Sequence, residues 1–298
     1  DWAGMGRRKA EAGARGKHRG IGLCYYIEST MGDPTEHAAV EFKEDGTVEV
    51  LVGTQTNGQG HDTAYAQVLH SRLNVPFEKI KIVQGDTDRI KAGGGTGGSR
   101  SLTAQGVAIN GAADLVIERG KAYAAQMFEA AAADIQFQEG TFRVAGTDRA
   151  VGIMELAAKA RAMAPIAGLE GGLDAAATTK LDAWTFPNGC HIAEVEVDPD
   201  TGIVTVVDYN IVDDFGVVLN PLLVEGQVHG GIVQGIGQAL LGHLLGSARA
   251  AGCEAIHLDV RSDNHVALGL YTAHGFTEIG RRTGYYTGAD AVVMRAFL

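Results

Sequence analysis

Apolar and polar positions change period several times along the 298 residues, and each change marks an expected element. Residues 20–30 (GIGLCYYIEST) predict a strand. Residues 37–43 and 47–52 alternate around the turn Glu44-Asp45-Gly46, which predicts a hairpin. After Gly60 the spacing of Tyr65, Val68, Leu69 and Leu73 becomes helical, and this helix should pack on the hairpin. A short strand is expected at 79–83, a long small-residue helix at 99–130, a second hairpin at 135–144 and a helix at 154–163. Residues 191–197 and 203–212 predict a third hairpin across Asp198-Pro199-Asp200-Thr201-Gly202. From 224 to 251 apolar residues recur every four: Val224, Val228, Ile232, Ile236, Leu240, Leu244 and Ala248. Such a row drifts about 40° per step on a 3.6-residue helix, so this helix should serve two environments and bridge two parts of the chain. Residues 256–260 then predict a strand, 264–274 a helix, and strands from Phe276 onward. The pattern reads as α+β, antiparallel hairpins with flanking helices, followed by a small α/β tail.

Composition narrows the picture. With 45% apolar and 20% charged residues the chain can bury a real core. No apolar run reaches the roughly 18 residues of a membrane helix, and no signal-like pattern opens the chain. Residues 1–17 are basic, small and polar and read as a frayed lead-in; the first residue, Asp1, suggests a piece of a longer product. Cys24, Cys190 and Cys253 are odd in number and far apart, giving neither a disulfide framework nor a metal knuckle. A reducing cytoplasm is therefore the expected compartment. The net charge of −11 argues against a general nucleic-acid binder. That charge is uneven: no Lys or Arg lies between Lys180 and Arg249, a stretch holding nine acids.

Glycine, at 42 residues, is about twice its usual share and is clustered. One cluster, Thr54-Gln55-Thr56-Asn57-Gly58-Gln59-Gly60-His61-Asp62-Thr63, leaves a strand and enters a helix. Another, Gly93-Gly94-Gly95-Thr96-Gly97-Gly98-Ser99-Arg100-Ser101, also opens a helix. Bare amides at a helix start suit an anion such as a phosphate, and missing Cβ atoms let the backbone approach it. Thr96, Ser99 and Ser101 add hydroxyls, and Gln59 an amide that both donates and accepts. Neither cluster has the spacing of the phosphate loop or the dinucleotide fingerprint, and both could be tight turns before helices. If one ligand uses both, the two helix mouths must lie side by side.

GTQTNGQGHDT, GGGTGGSRS, HIAEVEVDPDTG and DDFGVVLNPLLVEGQVHGGIVQGIGQAL, in that order, resemble the molybdenum hydroxylases. The likeness runs over about 16–240 and is to the molybdopterin-binding large subunits of aerobic carbon monoxide dehydrogenase and xanthine dehydrogenase relatives. It implies a partial molybdopterin-binding domain at 18–240, with the pterin and its phosphate or cytosine dinucleotide tail against these loops. Carried over, Asn57, Gly58 and Gln59 would contact the cofactor, with Thr96, Ser99 and Ser101 from the second loop and Gln227 from the GQV segment. The resemblance also implies a flavin (FAD) subunit, an iron–sulfur subunit and a homo-oligomeric assembly. The family's GGxFG-type loop, active-site cysteine loop and GxGE catalytic glutamate are not found here. Hydroxylation of CO, an aldehyde or a purine should therefore be absent from this chain alone. His61, His191 and His229 receive no metal role, because the family's metal is held mainly by the pterin dithiolene.

After Leu240 the pattern changes to LDVRSDN, ALGLYTAHGF, RRTGYY and DAVVM, which resemble the carboxyl-terminal half of a GNAT N-acetyltransferase of the ribosomal-protein-alanine type. That resemblance sets a partial GNAT-like domain at 241–298. It implies Tyr271 as the proton donor to a departing thiolate, Asp259 as base, and Asn264 as a coenzyme A contact, with Gln234, Gly235 and Gly237 as an ambiguous pyrophosphate loop for acetyl-CoA. Tyr271 could equally be a core tyrosine and Asp259 a solvated edge acid. Because QGIGQALL fits both families, residues 234–241 are the expected crossover of a chimera or fusion. Three functions stay open: a cofactor-binding part of a molybdenum hydroxylase, an acetyl-CoA-dependent N-acetyltransferase, and a non-catalytic remnant.

Overall fold

The structure, a computed structural model, describes residues 1–298. It divides into two compact units, residues 1–220 and 221–298. The first unit runs α1 (Met5–Ala14), β1 (His18–Ile27), β2 (Thr35–Phe42), β3 (Val48–Val52), α2 (His61–Leu73), β4 (Ile80–Val83) and α3 (Ser101–Phe128). It continues with β5 (Ile135–Gln138), β6 (Thr141–Val144), β7 (Ala150–Gly152), α4 (Ile153–Ala160), β8 (Ala175–Lys180), β9 (Asn188–Val197) and β10 (Val204–Asp214).

Three sheets form, in the orders β1-β9-β10, β4-β3-β2-β8 and β5-β6-β7. The second is antiparallel except where β3 meets β4 in parallel, the crossover between them being α2. Its strand β2 alternates strictly, burying Glu36, Ala38, Val40 and Phe42. These apolar residues join Tyr65, Leu69 and Leu73 of α2 and Ile109, Ala112, Ala113 and Val116 of α3 in one core. Small residues along α3 let it lie close; at Gly120 an added Cβ would sit 2.1 Å from the Phe142 ring.

The lead-in expected to fray is the helix α1. Its sequence is too polar to show a core face, and long-range ion pairs hold it instead. Arg8 Nε and Arg19 Nε both donate to Glu194 at 2.7 Å, and Arg15 and Arg19 pair with Glu196.

The second unit contains α5 (Pro221–Ala250), β11 (Ala255–Arg261), α6 (His265–Ala273), β12 (Thr277–Tyr286) and β13 (Ala289–Phe297). Its sheet, β11-β13-β12, is antiparallel throughout, so the tail expected as α/β is α+β in character. Leu241 and Leu245 of α5 pack with Val260, Phe276, Val292, Met294 and Ala296. No residue of α5 before Leu241 is fully buried, so the helix does change environment near its middle. The boundary expected at 240/241 falls inside α5, and the compact units divide at 220/221. α5 lies wholly in the second unit. No helix is long and apolar enough to cross a membrane.

Candidate functional site

The first glycine cluster leaves β3 at Gly53 and enters α2 through Gly60, whose φ of 83° only glycine adopts readily. The second follows β4 by a longer loop and enters α3 after Arg100. Neither helix start carries a side-chain cap. The two loops touch, backbone to backbone. A Cβ on Gly53 would lie 2.3 Å from the Gly93 Cα, and one on Gly93 equally close to the Gly53 Cα. Thr96 Oγ1 accepts from the Gln55 amide at 3.0 Å and donates to the Gln55 carbonyl, which zips the loops together one step further on. Between them opens a cavity of about 510 Å³ lined by Val52, Gly53, Gln55 and Asn57 from one side and Gly93, Gly95 and Thr96 from the other. Its remaining wall comes from Gly85, Asp86, Thr87, Ile90, Lys91 and Ala92.

Beneath the cavity lies a buried polar layer. Gln105 Oε1 accepts from the amides of Gly53 at 3.1 Å and Thr54 at 3.3 Å, while its Nε2 donates to the His37 carbonyl at 2.9 Å. Thr54 Oγ1 and the Tyr65 hydroxyl share a 2.7 Å hydrogen bond, and Tyr65 donates to the Ser101 carbonyl at 3.3 Å. Burial pushes the Tyr65 phenol up to about 12, so it remains a hydroxyl donor across the physiological range. Glu36 and Arg100 form an ion pair in the same layer. Burial also lowers the His61 imidazole below its ordinary value. Its Nε2 lies 3.0 Å from Gln59 Nε2, and its buried Nδ1 has no partner.

The residues expected to contact a cofactor divide into groups. Asn57 and Thr96 line the cavity. Gly58 (φ 104°) sits at the exposed tip of its loop with open space in front of it. Gln59 is half-buried, and its Oε1 accepts from Thr56 Oγ1 and the Asn57 amide, which braces its own loop. Ser99 is exposed with φ 57°, and Ser101 Oγ donates to Thr96 Oγ1 at 3.4 Å. Gln227 lies on an exposed turn of α5, in the second unit.

Glu36, Gln105 and the 85–92 wall were missed by sequence reasoning. Glu36 left a readable signal: it falls on the inward phase of an alternating strand, where a carboxylate requires a cation. Arg100 stood in the quoted motif but received no role.

The residues proposed for acetyl-CoA are scattered. Gln234, Gly235 and Gly237 stand in the middle of α5, where helical hydrogen bonds occupy their amides. A pyrophosphate cradle needs free amides at a loop or helix start, so this segment does not fit the group. Asn264 caps α6, its Oδ1 accepting from the Ala267 amide at 3.0 Å. Tyr271 packs edge-on against Phe276, with ring centres 5.7 Å apart. The Asp259 carboxylate lies 3.4 Å from Arg282 Nη1, and no hydrogen bond joins it to Tyr271.

The glycine cavity is walled largely by backbone and small polar side chains. Gly58, Gly95 and Gly97 have open space where a side chain would otherwise stand, and of the three Gly95 lines the cavity. The model of the molybdopterin cofactor-binding domain matches residues 1–251. The nicotine 6-hydroxylase large subunit of Paenarthrobacter nicotinovorans is 35% identical over 82% of this chain and 32% of its own length. The carbon monoxide dehydrogenase large chain of Afipia carboxidovorans is 32% identical over 78% of this chain and 31% of its own. The crystal structure of quinoline 2-oxidoreductase from Pseudomonas putida 86 superposes with a TM-score of 0.68 at 34% identity, covering 79% of this chain and 32% of that one. The chain thus spans about a third of the length of these relatives.

Proposed function

From the premise that this chain belongs to the molybdopterin cofactor-binding domain family, we propose that it supplies the cofactor-gripping part of a molybdenum hydroxylase acting on a small molecule. The observation that carries the reading is the contact of the two glycine loops around one cavity. Bound there, the cofactor would supply oxygen-atom and electron transfer at its metal. The chain's own contribution is binding and orientation. Asn57 and Thr96 offer polar atoms at the cavity wall, and Gly93 and Gly95 bring backbone to it without a side chain in the way of a phosphate. Lys91 on the same wall brings one positive charge, with the Asp86 carboxylate on that wall as its counterpart.

No GxGE segment occurs in this sequence, so no residue here is assigned as the base that activates a metal-bound hydroxyl. The full reaction would need further polypeptide, including flavin and iron–sulfur subunits. Nicotine, carbon monoxide and quinoline in the relatives' names span very different molecules, and the substrate class stays at "small molecule". The choice between the plain and cytosine dinucleotide forms of the cofactor rests on the resemblance alone.

For residues 241–298 we read a lineage rather than an activity. The succession β11, α6, β12 and β13, with Asn264 capping α6, supports the acetyltransferase-like resemblance. The unbroken course of α5 through Gln234–Gly237 argues against acetyl-CoA turnover.

The test is expression in a host that makes the molybdenum cofactor, followed by molybdenum analysis and fluorescence of the released, oxidised pterin. The parent should copurify with pterin, and an Asn57→Ala/Thr96→Ala variant should lose most of it. A folded parent carrying neither pterin nor molybdenum overturns the reading. Protection from thermal unfolding by acetyl-CoA would favour the acetyltransferase instead.

A further inference from the structure

We propose that Glu36 and Arg100 form a positioning latch that sets the spacing of the two glycine loops and thereby the shape of the cavity; the inference rests on the cofactor reading above. Both side chains are almost wholly removed from solvent, at 0% and 2% exposure. Each grips the same loop by a different end of its peptides. Glu36 Oε1 accepts from the Gly94 amide at 2.8 Å, and Arg100 Nη1 donates to the Gly95 carbonyl at 2.7 Å. Arg100 Nη2 reaches back to the Thr35 carbonyl at 3.2 Å as well as to Glu36. The other carboxylate oxygen, Glu36 Oε2, stands beside the first loop, 2.7 Å from where a Gly53 Cβ would be. One carboxylate therefore lies between both loops, and the planar guanidinium locks it there from the start of α3.

Energetics separate this role from simple stabilisation. Exchanging a buried ion pair for apolar groups of similar volume is often neutral or stabilising, because the desolvation cost disappears with the charges. Removing one partner alone leaves a bare charge in the core and is costly. If the pair served the fold only, apolar replacement would change little. As a latch, it holds Gly94 and Gly95 by peptide-specific hydrogen bonds that Leu and Met cannot make. The latch also takes up the Gly94 N–H and the Gly95 carbonyl, which fixes the orientation of the peptides on either side of them.

The experiment compares the parent chain with Glu36→Leu/Arg100→Met and with Arg100→Lys, all made in the cofactor-supplying host. Retained pterin, thermal unfolding and hydrogen exchange of peptides covering 53–57 and 93–97 are measured. The double variant should unfold within about 4 °C of the parent, yet retain roughly tenfold less pterin and exchange faster at 93–97. Arg100→Lys keeps the charge but lacks the fork that spans two carbonyls, so exchange at 93–97 should also rise. Parent-like retention and exchange in a folded double variant would overturn the latch. Should that variant fail to fold, Arg100→Lys decides alone, and parent-like exchange overturns it. A parent without pterin would remove the cofactor reading, while the exchange measurements would still test the latch.

Discussion

Two sheets of the first unit meet their surroundings in opposite ways. In β4-β3-β2-β8, helices α2 and α3 cover one face, and every second residue of β2 disappears into the core. In β1-β9-β10, Leu23, Tyr25 and Ile27 stand in a row on β1 and remain more than half exposed. The register aligns Tyr25 with Cys190 and Val212, so apolar groups of all three strands share that face. The opposite face holds a polar cluster. His191 Nδ1 lies 3.0 Å from the Tyr209 hydroxyl and its Nε2 3.3 Å from Asp213, to which the Tyr26 hydroxyl donates at 3.0 Å. Burial, with help from Asp213, pushes the Tyr26 phenol up to about 12. The covered sheet is thus secured by apolar packing and carries the site. The open sheet is secured by polar pairs and leaves apolar surface exposed.

Four measurements sharpen this contrast. Phe142→Ala removes a fully buried ring from the covered region and should cost about 3–5 kcal/mol in denaturant unfolding. Gly93→Ala drives a Cβ into Gly53, so it should cost about 1–3 kcal/mol and also lower pterin retention; unchanged unfolding would show that the loops are freer than their contact implies. His61 gives a smaller, pH-dependent effect. Its folded value lies below the unfolded 6.5, so between the two the unfolded chain binds a proton that the folded chain refuses. Stability should therefore decline as pH falls through that window, and His61→Asn should flatten that part of the profile. Smallest of all, Leu23→Ser/Val212→Thr on the open sheet should shift stability by only about 0.5 kcal/mol. The same change should reduce self-association in sedimentation; a large loss of stability would mean that this face is already packed.

The strands and helices with strong periodicity were legible in the sequence because their side chains are sorted by burial. β2, α2 and α3 are examples. What escaped has a physical reason in each case. α1 is held by Arg8 and Arg15 pairing with acids about 180 positions away, which no local pattern records. β8, the run Ala175–Lys180, is three alanines followed by Thr-Thr-Lys with no apolar alternation, and borrows its strand character from pairing with β2. The glycine loops are recognisable in the sequence, and their contact becomes visible only in the fold. Polarity picks out Gln59 and Ser99 in the sequence, whereas the bonds Gln59 makes within its own loop are visible only in the fold.

α5 has a consequence for handling the protein. Seven of its thirty residues are glycine, each weakening a helix by about 1 kcal/mol relative to alanine, and its turns before Leu241 have no fully buried anchor. A protease of relaxed specificity should open those turns early. Trypsin, which needs a basic side chain, has no cleavage point between Lys180 and Arg249 and would release that whole stretch as one uncut peptide.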